Sequence, residues 1–385
     1  MEKPSHSETP ALSETPAPSA MPALSPMPAL SEMPFLSVVI PCWNESRFVA
    51  AFLDSVLGNT YPAERMEVLL VDGMSDDGTR EVARHYAIRD PRLRLIDNPG
   101  HSKPAALNRG IRQARGDVII RLDVHAEYPP DYLERCVRAL VDNPGADNVG
   151  GVRLSRARDD TLLGRAIALS TTSVFGAGNS KYRVGADGPQ WVDTVFGGCY
   201  RRDVFDRIGL FDEHLTRAQD REFNQRLRAA GGQILLLPEI TCTYYARSDF
   251  REFCSWTVEA GYWPFKASRS VGRWIGSWRN VVPLGFVLTV AAGAALSPVS
   301  RPARRLTGAV LTAYGMSALA FAVRAARQHR DPGLAIALPA VFLTTHVLYG
   351  IGSLKALLEK TAKLEKAAKL EKTATLEKTA KLEKK

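Results

Sequence analysis

An α/β fold built on a parallel sheet, followed by transmembrane helices, is the architecture predicted for this chain of 385 residues. Two observations lead there. Between about Phe35 and Phe265, short apolar runs alternate with helix-patterned stretches at the pitch of right-handed βαβ units. Downstream, three apolar blocks (281–297, 306–323 and 333–352) approach the ~20 residues that cross a bilayer, and each is flanked by Arg or Lys.

The elements follow in order. Ser37–Pro41, Glu67–Val71, Leu93–Ile96 and Asp117–Leu122 read as strands. Helices fall at about Ser46–Leu57, Asp77–Ile88, Lys103–Ala114 and Pro130–Val141, with Asp77 and Ser102 placed as caps. After Gly151 the rhythm loosens, until an extended stretch at Trp191–Val195, a helix at Gln219–Ala230 closed by Gly231-Gly232, and a strand at Gln233–Leu237. Four regions result: a leader (1–36), a catalytic domain (37–265), an anchor (266–353) and a tail (354–385). The leader repeats a Pro-containing hexapeptide and reads as a polyproline-like tether without the pattern of a signal peptide. The tail repeats LEKTAK-type hexapeptides, a period that turns successive leucines by about 240° and so specifies no coiled coil. It reads as a solvated helix or as a weak lysine-rich contact to anionic lipid.

Charge separates the same regions. Residues 1–265 carry 30 Lys and Arg against 35 Asp and Glu, whereas residues 266–385 carry 20 against 6. The formal +9 therefore concerns lipid and orientation, not nucleic acid. Five scattered cysteines without a C-x-x-C pair indicate neither a disulfide framework nor a zinc site.

Ligands in open α/β sheets sit beyond the carboxyl ends of the strands. Three strand ends carry chemistry there: Cys42-Trp43-Asn44-Glu45, Asp72 within VDGMSDDGT, and Asp123-Val124-His125. No G-x-G-x-x-G or P-loop pattern occurs. Asp72 could accept hydrogen bonds from a base or ribose, or close an Asx turn. Asp123 and His125, two residues apart on extended chain, point to the same side and suit Mn²⁺ or Mg²⁺ on a diphosphate. Asp220 begins a helix, whose positive end favours an ionised carboxylate.

SVVIPCWNES, VDGMSDDGT, GHSKPAALNRGI, ARGDVIIRLDVHAEY, FGGCYRR, GLFDE and AQDREFNQRLRAAGG occur in the order found in family 2 glycosyltransferases. From about Ser37 to Lys266 the chain resembles that family, and within it the succinoglycan-biosynthesis branch of exopolysaccharide transferases. The resemblance implies a GT-A fold with a mixed, mainly parallel sheet. It implies that Pro41, Asn44 and Glu45 border the nucleotide site, that Asp72 contacts the base, and that Lys103 and Asn108 shape the sugar-nucleotide pocket. Asp123 would serve the ribose and metal; the family's D-x-D here ends in His125, which can still ligate as neutral imidazole. Asp220 matches the catalytic base. Trp263 and Lys266, just before the anchor, are candidates for the acceptor side or for an interfacial belt.

The expected activity is inverting transfer from a nucleotide sugar, a UDP-sugar, to a saccharide on polyprenyl diphosphate, assisted by a divalent cation. One carboxylate base suffices for a single displacement. A polyprenyl-phosphate sugar synthase and a non-catalytic membrane scaffold are the alternatives. The expected location is the inner membrane, multi-pass, with residues 37–265 cytoplasmic. If all three blocks span, 7 Lys and Arg fall inside against 13 outside; if the first is re-entrant or interfacial, 17 fall inside against 3. A cytoplasmic C-terminus follows. His346, inside the third block, reads as a hydrogen-bonded helix contact.

Overall fold

A computed structural model describes residues 33–382, with side chains through 359. The Pro-rich leader up to residue 32 and the side chains of the tail repeats lie outside the described residues. Nine strands form one sheet: β1 (Leu36–Cys42), β2 (Met66–Asp72), β3 (Leu93–Asp97), β4 (Val118–Arg121), β5 (Ala126–Glu127), β6 (Asn148–Ala157), β7 (Gln190–Trp191), β8 (Cys199–Arg201) and β9 (Ile234–Ala246). Their order is β3-β2-β1-β4-β8-β6-β9-β5, with β7 also on β9. β1, β2, β3 and β4 pair in parallel, β8 runs against both β4 and β6, and β6 and β9 are again parallel. The sheet is therefore mixed and mainly parallel in its first half, as the βαβ rhythm predicts.

Four helices cross between the early strands: α1 (Val49–Leu57), α2 (Thr79–Arg89), α3 (Lys103–Gln113) and α4 (Tyr132–Asp142). Ser102 caps α3 by accepting from Ala105 N. Asp77 sits one residue before the N-cap of α2 and accepts from Thr79 N at 3.1 Å. The central strands are covered on both faces, so they read as near-continuous apolar runs. Their polar exceptions face each other in register: Ser37 donates to Glu67 Oε1 at 2.7 Å, and Arg115 N and Nε close on the same buried carboxylate. Phe35 also belongs to the fold, its N–H bonded to Asp117.

The second half departs from the sequence reading. β6 was not anticipated, and β9 runs well past Leu237. Gly150-Gly151 and Pro238-Glu239 break the apolar pattern, and the two strands change register between Gly150 and Val152, an irregularity of the kind that admits a proline in a sheet. Short helices α5 (Leu162–Ser170), α6 (Val174–Ala177), α7 (Lys181–Val184) and α8 (Asp203–Ile208) precede α9 (Gln219–Ala229), which ends at Gly231 with φ 84°. Next comes α10 (Phe250–Ser270), capped by Asp249 and continuous through Pro264. The boundary placed at 265/266 thus falls inside a helix.

Three helices complete the chain: α11 (Trp278–Leu296), α12 (Arg301–His329) and α13 (Leu334–Leu382). Trp278–Leu296, Arg301–His329 and Leu334–Glu359 are each long and apolar enough to cross a membrane. The first is unbroken helix through Pro283. Its second half packs on α12, where Gly293 meets Thr307.

The third lies side by side with α10. Phe342 clusters with Phe253, Ser353 donates to Gly261 O, and Lys266 pairs with Glu359 at 2.9 Å. A Cβ on Gly261 would stand 2.0 Å from Tyr349 O, and one on Gly352 2.0 Å from Val258 O, so only glycine permits this approach. At the other end Asp331 pairs with Arg165 of α5. His346 bonds Tyr314 Oη and Phe175 O, the helix contact expected of it.

Candidate active site

The parallel strands deliver their carboxyl ends to one edge. There the loop after β1 and the loop after β2 are knitted together. Asn44, in the left-handed region at φ 53°, exchanges amide hydrogen bonds with Asp76, its N–H meets Ser75 Oγ, and Glu45 N meets Thr79 Oγ1. Pro41 precedes them on β1, in register with Val71. Asp72 ends β2 fully buried, accepting from Ser75 Oγ at 2.6 Å, Ser75 N at 3.0 Å and Arg80 at 2.5 Å. Arg80 continues to Asp97 at 2.7 Å. Asp72 therefore closes the turn itself; the base contact implied for it is not open at its carboxylate in this arrangement. Trp43, 58% exposed and packed over Gly73, offers the open surface at the same edge.

The end of β4 carries the charge of the site. Arg121 is buried and sends Nη2 to both oxygens of Asp123 at 2.9 Å, while Nη1 lies 2.7 Å from Asp220 Oδ1. Lys103, the first residue of α3, reaches Asp123 Oδ1 at 2.6 Å. Burial alone would raise the Asp123 carboxyl, but Arg121 and Lys103 outweigh it and hold it well below the ordinary carboxylate range. Asp220 is the second residue of α9. Its Oδ1 is buried and gains no aligned hydrogen bond from the guanidinium, while the side chain remains one-third exposed, which leaves Oδ2 as the oxygen facing outward. One guanidinium thus joins the two carboxylates that the sequence singled out separately. Arg121 itself was missed. The signal was present, a charge in the apolar run DVIIRL two residues before Asp123 and so on its side of the strand.

His125 lies in a turn over 123–126 and not on the extended chain expected from the spacing, its Nδ1 3.3 Å from Glu45 Oε1 and its ring edge-on to Tyr244. Among the described residues its Nε2 has no hydrogen-bond partner and Asp123 Oδ2 accepts one hydrogen bond, from Arg121. Among the described residues no group of three His, Cys, Asp or Glu could hold a metal. A divalent ion held by Asp123 and His125 would need phosphate oxygens as its remaining ligands.

Two further residues are engaged by the protein itself. Asn108 is buried and its amide is spent on Phe211 N, Phe211 O and Glu213, so it fixes the 211–213 segment. Lys266 is engaged by Glu359, and neither it nor Trp263 lines the large cavity beneath the domain. Both lie on α10, where Lys266 is part of the joint with α13 and Trp263 stands edge-on to Tyr262.

The description "Glycosyl transferase family 2" matches residues 37–209. The succinoglycan biosynthesis protein ExoA of Rhizobium meliloti is 31% identical over 325 residues, covering 84% of this chain and 94% of its own. The chain belongs to glycosyl transferase family 2. A second relative of this transferase is the dolichyl N-acetyl-alpha-D-glucosaminyl phosphate 3-beta-D-2,3-diacetamido-2,3-dideoxy-beta-D-glucuronosyltransferase of Methanococcus voltae, 27% identical over 84% of this chain and 97% of that protein. Its fold is shared by the mannosyltransferase PcManGT of Pyrobaculum calidifontis, solved with GDP-Man and Mn²⁺, at TM-score 0.57 and 22% identity over 87% of this chain and 90% of that one. The family 2 transferase has the GT-A architecture expected of it, with the Arg121 bridge at its centre.

Proposed function

We propose that this family 2 transferase is membrane-bound and inverting, and moves a sugar from a UDP-sugar onto a saccharide carried by polyprenyl diphosphate in exopolysaccharide assembly. The observation that carries the reading is the Asp123–Arg121–Asp220 bridge, which sets a phosphate-side carboxylate and a single base on one guanidinium. Asp220 Oδ2 takes the proton of the acceptor hydroxyl as that oxygen attacks the anomeric carbon and the bond to the diphosphate breaks. A retaining double displacement needs a second carboxylate at the anomeric centre, and the neighbouring Asp123 is already neutralised by Arg121 and Lys103. Lys103 and Arg121 present positive charge on the side where the leaving diphosphate develops its own. Asp123 and His125 would hold Mn²⁺ or Mg²⁺, which supplies further neutralisation of the leaving group.

Relatives named for succinoglycan assembly and for transfer to a dolichyl-phosphate-linked sugar support the acceptor class. Membranes bearing the protein, given labelled UDP-sugars, are expected to place label in the lipid fraction as an extended saccharide, with EDTA abolishing transfer. Label on lipid monophosphate itself would favour a polyprenyl-phosphate sugar synthase, and undiminished transfer in EDTA would remove the metal role of Asp123 and His125.

The reading includes a topology. A helix paired along α10, which carries Arg251, Glu252, Glu259, Lys266 and Arg269, is held at the membrane surface with it. In this arrangement α11 and α12 form the crossing hairpin and the apolar part of α13 lies at the interface. The count is then 17 Lys and Arg inside against 3 outside. A cytoplasmic C-terminus is retained, with the third block, rather than the first, as the one that does not cross. A phosphatase reporter fused after Lys385 should be inactive in the periplasmic assay, and full activity there would overturn the topology.

A further inference from the structure

Between α10, the helices α11 to α13 and the segment carrying α6 and α7 lies a cavity of about 500 Å³. That volume suits an organic ligand. One side is an apolar, largely aromatic wall that includes Phe175, Trp256, Val282, Phe286, Tyr314 and Phe321. Arg183, Arg221 and Arg279 line the same cavity.

The arginines are unequal. Arg279 is paired with Asp193 at 2.8 Å. Arg221 reaches only the neutral Asn280 Oδ1, and Arg183 only the Tyr182 hydroxyl. Adjoining this group is Arg153, 5% exposed, stacked 4.2 Å from the centre of the Tyr244 ring, with Nη2 on Ser155 and Nε without any partner. Among the described residues, none of these three has a carboxylate within ion-pairing distance. Burial and the neighbouring Arg183 lower Arg153 to about 10. Tyr182 should be raised by burial, yet Arg183, Arg153 and Arg221 together bring it down to about 8. One buried and two half-buried cations without an anion are costly to hold together unless a ligand supplies the negative charge.

Arg221 follows Asp220 directly on α9, so the cationic lining of the cavity and the base are carried by the same helix start. Resting on the reading that the acceptor is lipid-linked, we propose that this cavity is the acceptor site. The prenyl chain lies along the aromatic wall and its diphosphate meets Arg183 and Arg221, with Arg153 behind them. Bidentate guanidinium groups suit diphosphate oxygens, and a diphosphate matches several cations better than a single phosphate does. The wall turns toward the membrane helices, from which a lipid would enter.

The test uses the full chain in detergent and measures binding of farnesyl diphosphate, with farnesyl phosphate, inorganic pyrophosphate and phosphatidylglycerol as competitors. Farnesyl diphosphate should bind best, and Arg183→Gln and Arg221→Gln should each weaken it by about tenfold or more. UDP binding, measured on the same preparations, should be unchanged, which verifies folding. Should either glutamine variant lose UDP binding, Arg183→Lys and Arg221→Lys take its place, with a smaller loss expected. Unaltered farnesyl diphosphate binding in folded variants overturns the proposal, as does displacement by pyrophosphate or phosphatidylglycerol at equal concentration. Binding through these arginines without any transfer to lipid would leave the site standing and remove the acceptor reading. Transfer to lipid by variants with undiminished affinity would do the reverse.

Discussion

Asp220→Asn is expected to cut sugar transfer by about 10²–10⁴-fold while leaving nucleotide-sugar binding in place. The amide is nearly isosteric and keeps an oxygen opposite Arg121, which stands 2.7 Å from Asp220 Oδ1. What it cannot do is take a proton at the other position. The loss should therefore appear in kcat, with little change in donor affinity, if the donor is held, as proposed, by the β1, β2 and β4 ends and not by α9. Single-turnover transfer at saturating donor measures this directly. A variant that keeps full transfer would show that Asp220 is only an acid at a helix start, where the helix dipole alone accounts for its presence.

Arg121→Ala carries the largest expected effect on stability. It leaves Asp123 buried with Lys103 alone and Asp220 without its counter-charge. Breaking a buried ion pair by removing one partner costs about 3–5 kcal/mol, to be read as a lowered unfolding midpoint in detergent. The pH dependence has a definite sign. In the native protein the Asp123 carboxyl is held below its unfolded value, so its contribution is complete above the ordinary carboxylate value of about 3.9 and fades only as pH falls toward the depressed folded one. Without Arg121 the folded value moves back toward the unfolded one, so the variant, though less stable at neutral pH, should lose less stability on acidification than the native protein. Equal acid sensitivity of the two proteins would contradict the assignment. Lys103→Ala should cost less, since Lys103 is one-third exposed.

The first half of the fold was legible because its strands are buried on both faces and therefore continuous in apolar residues, and because Ser102 marks a helix start in the ordinary way. β6 and β9 were not, since Gly150-Gly151 and Pro238 serve an irregular pairing that exists only once both strands are present. The site divides similarly. Asp123 could be picked out at its strand end, and the two-residue period applied backwards would have included Arg121, whereas His125 lies in a turn that this period does not describe. That Asn108 serves Phe211, 103 residues away, is a long-range fact that no local pattern encodes. Lys266 looked like a lone cation before a membrane because its partner Glu359 lies at the far end of the anchor.

The glycine-tight joint between α10 and α13 has a bearing on product length. With Gly261 against Tyr349 and Gly352 against Val258, the joint has no slack in which the catalytic domain could rise or tilt over the bilayer. Under the topology proposed above, Asp220 then works at one fixed height. A saccharide growing from a lipid presents its newest hydroxyl at that height only at one stage of growth. The joint would act as a ruler, limiting the enzyme to one addition at one rung of the chain through reach alone, independently of which hydroxyls the pocket recognises.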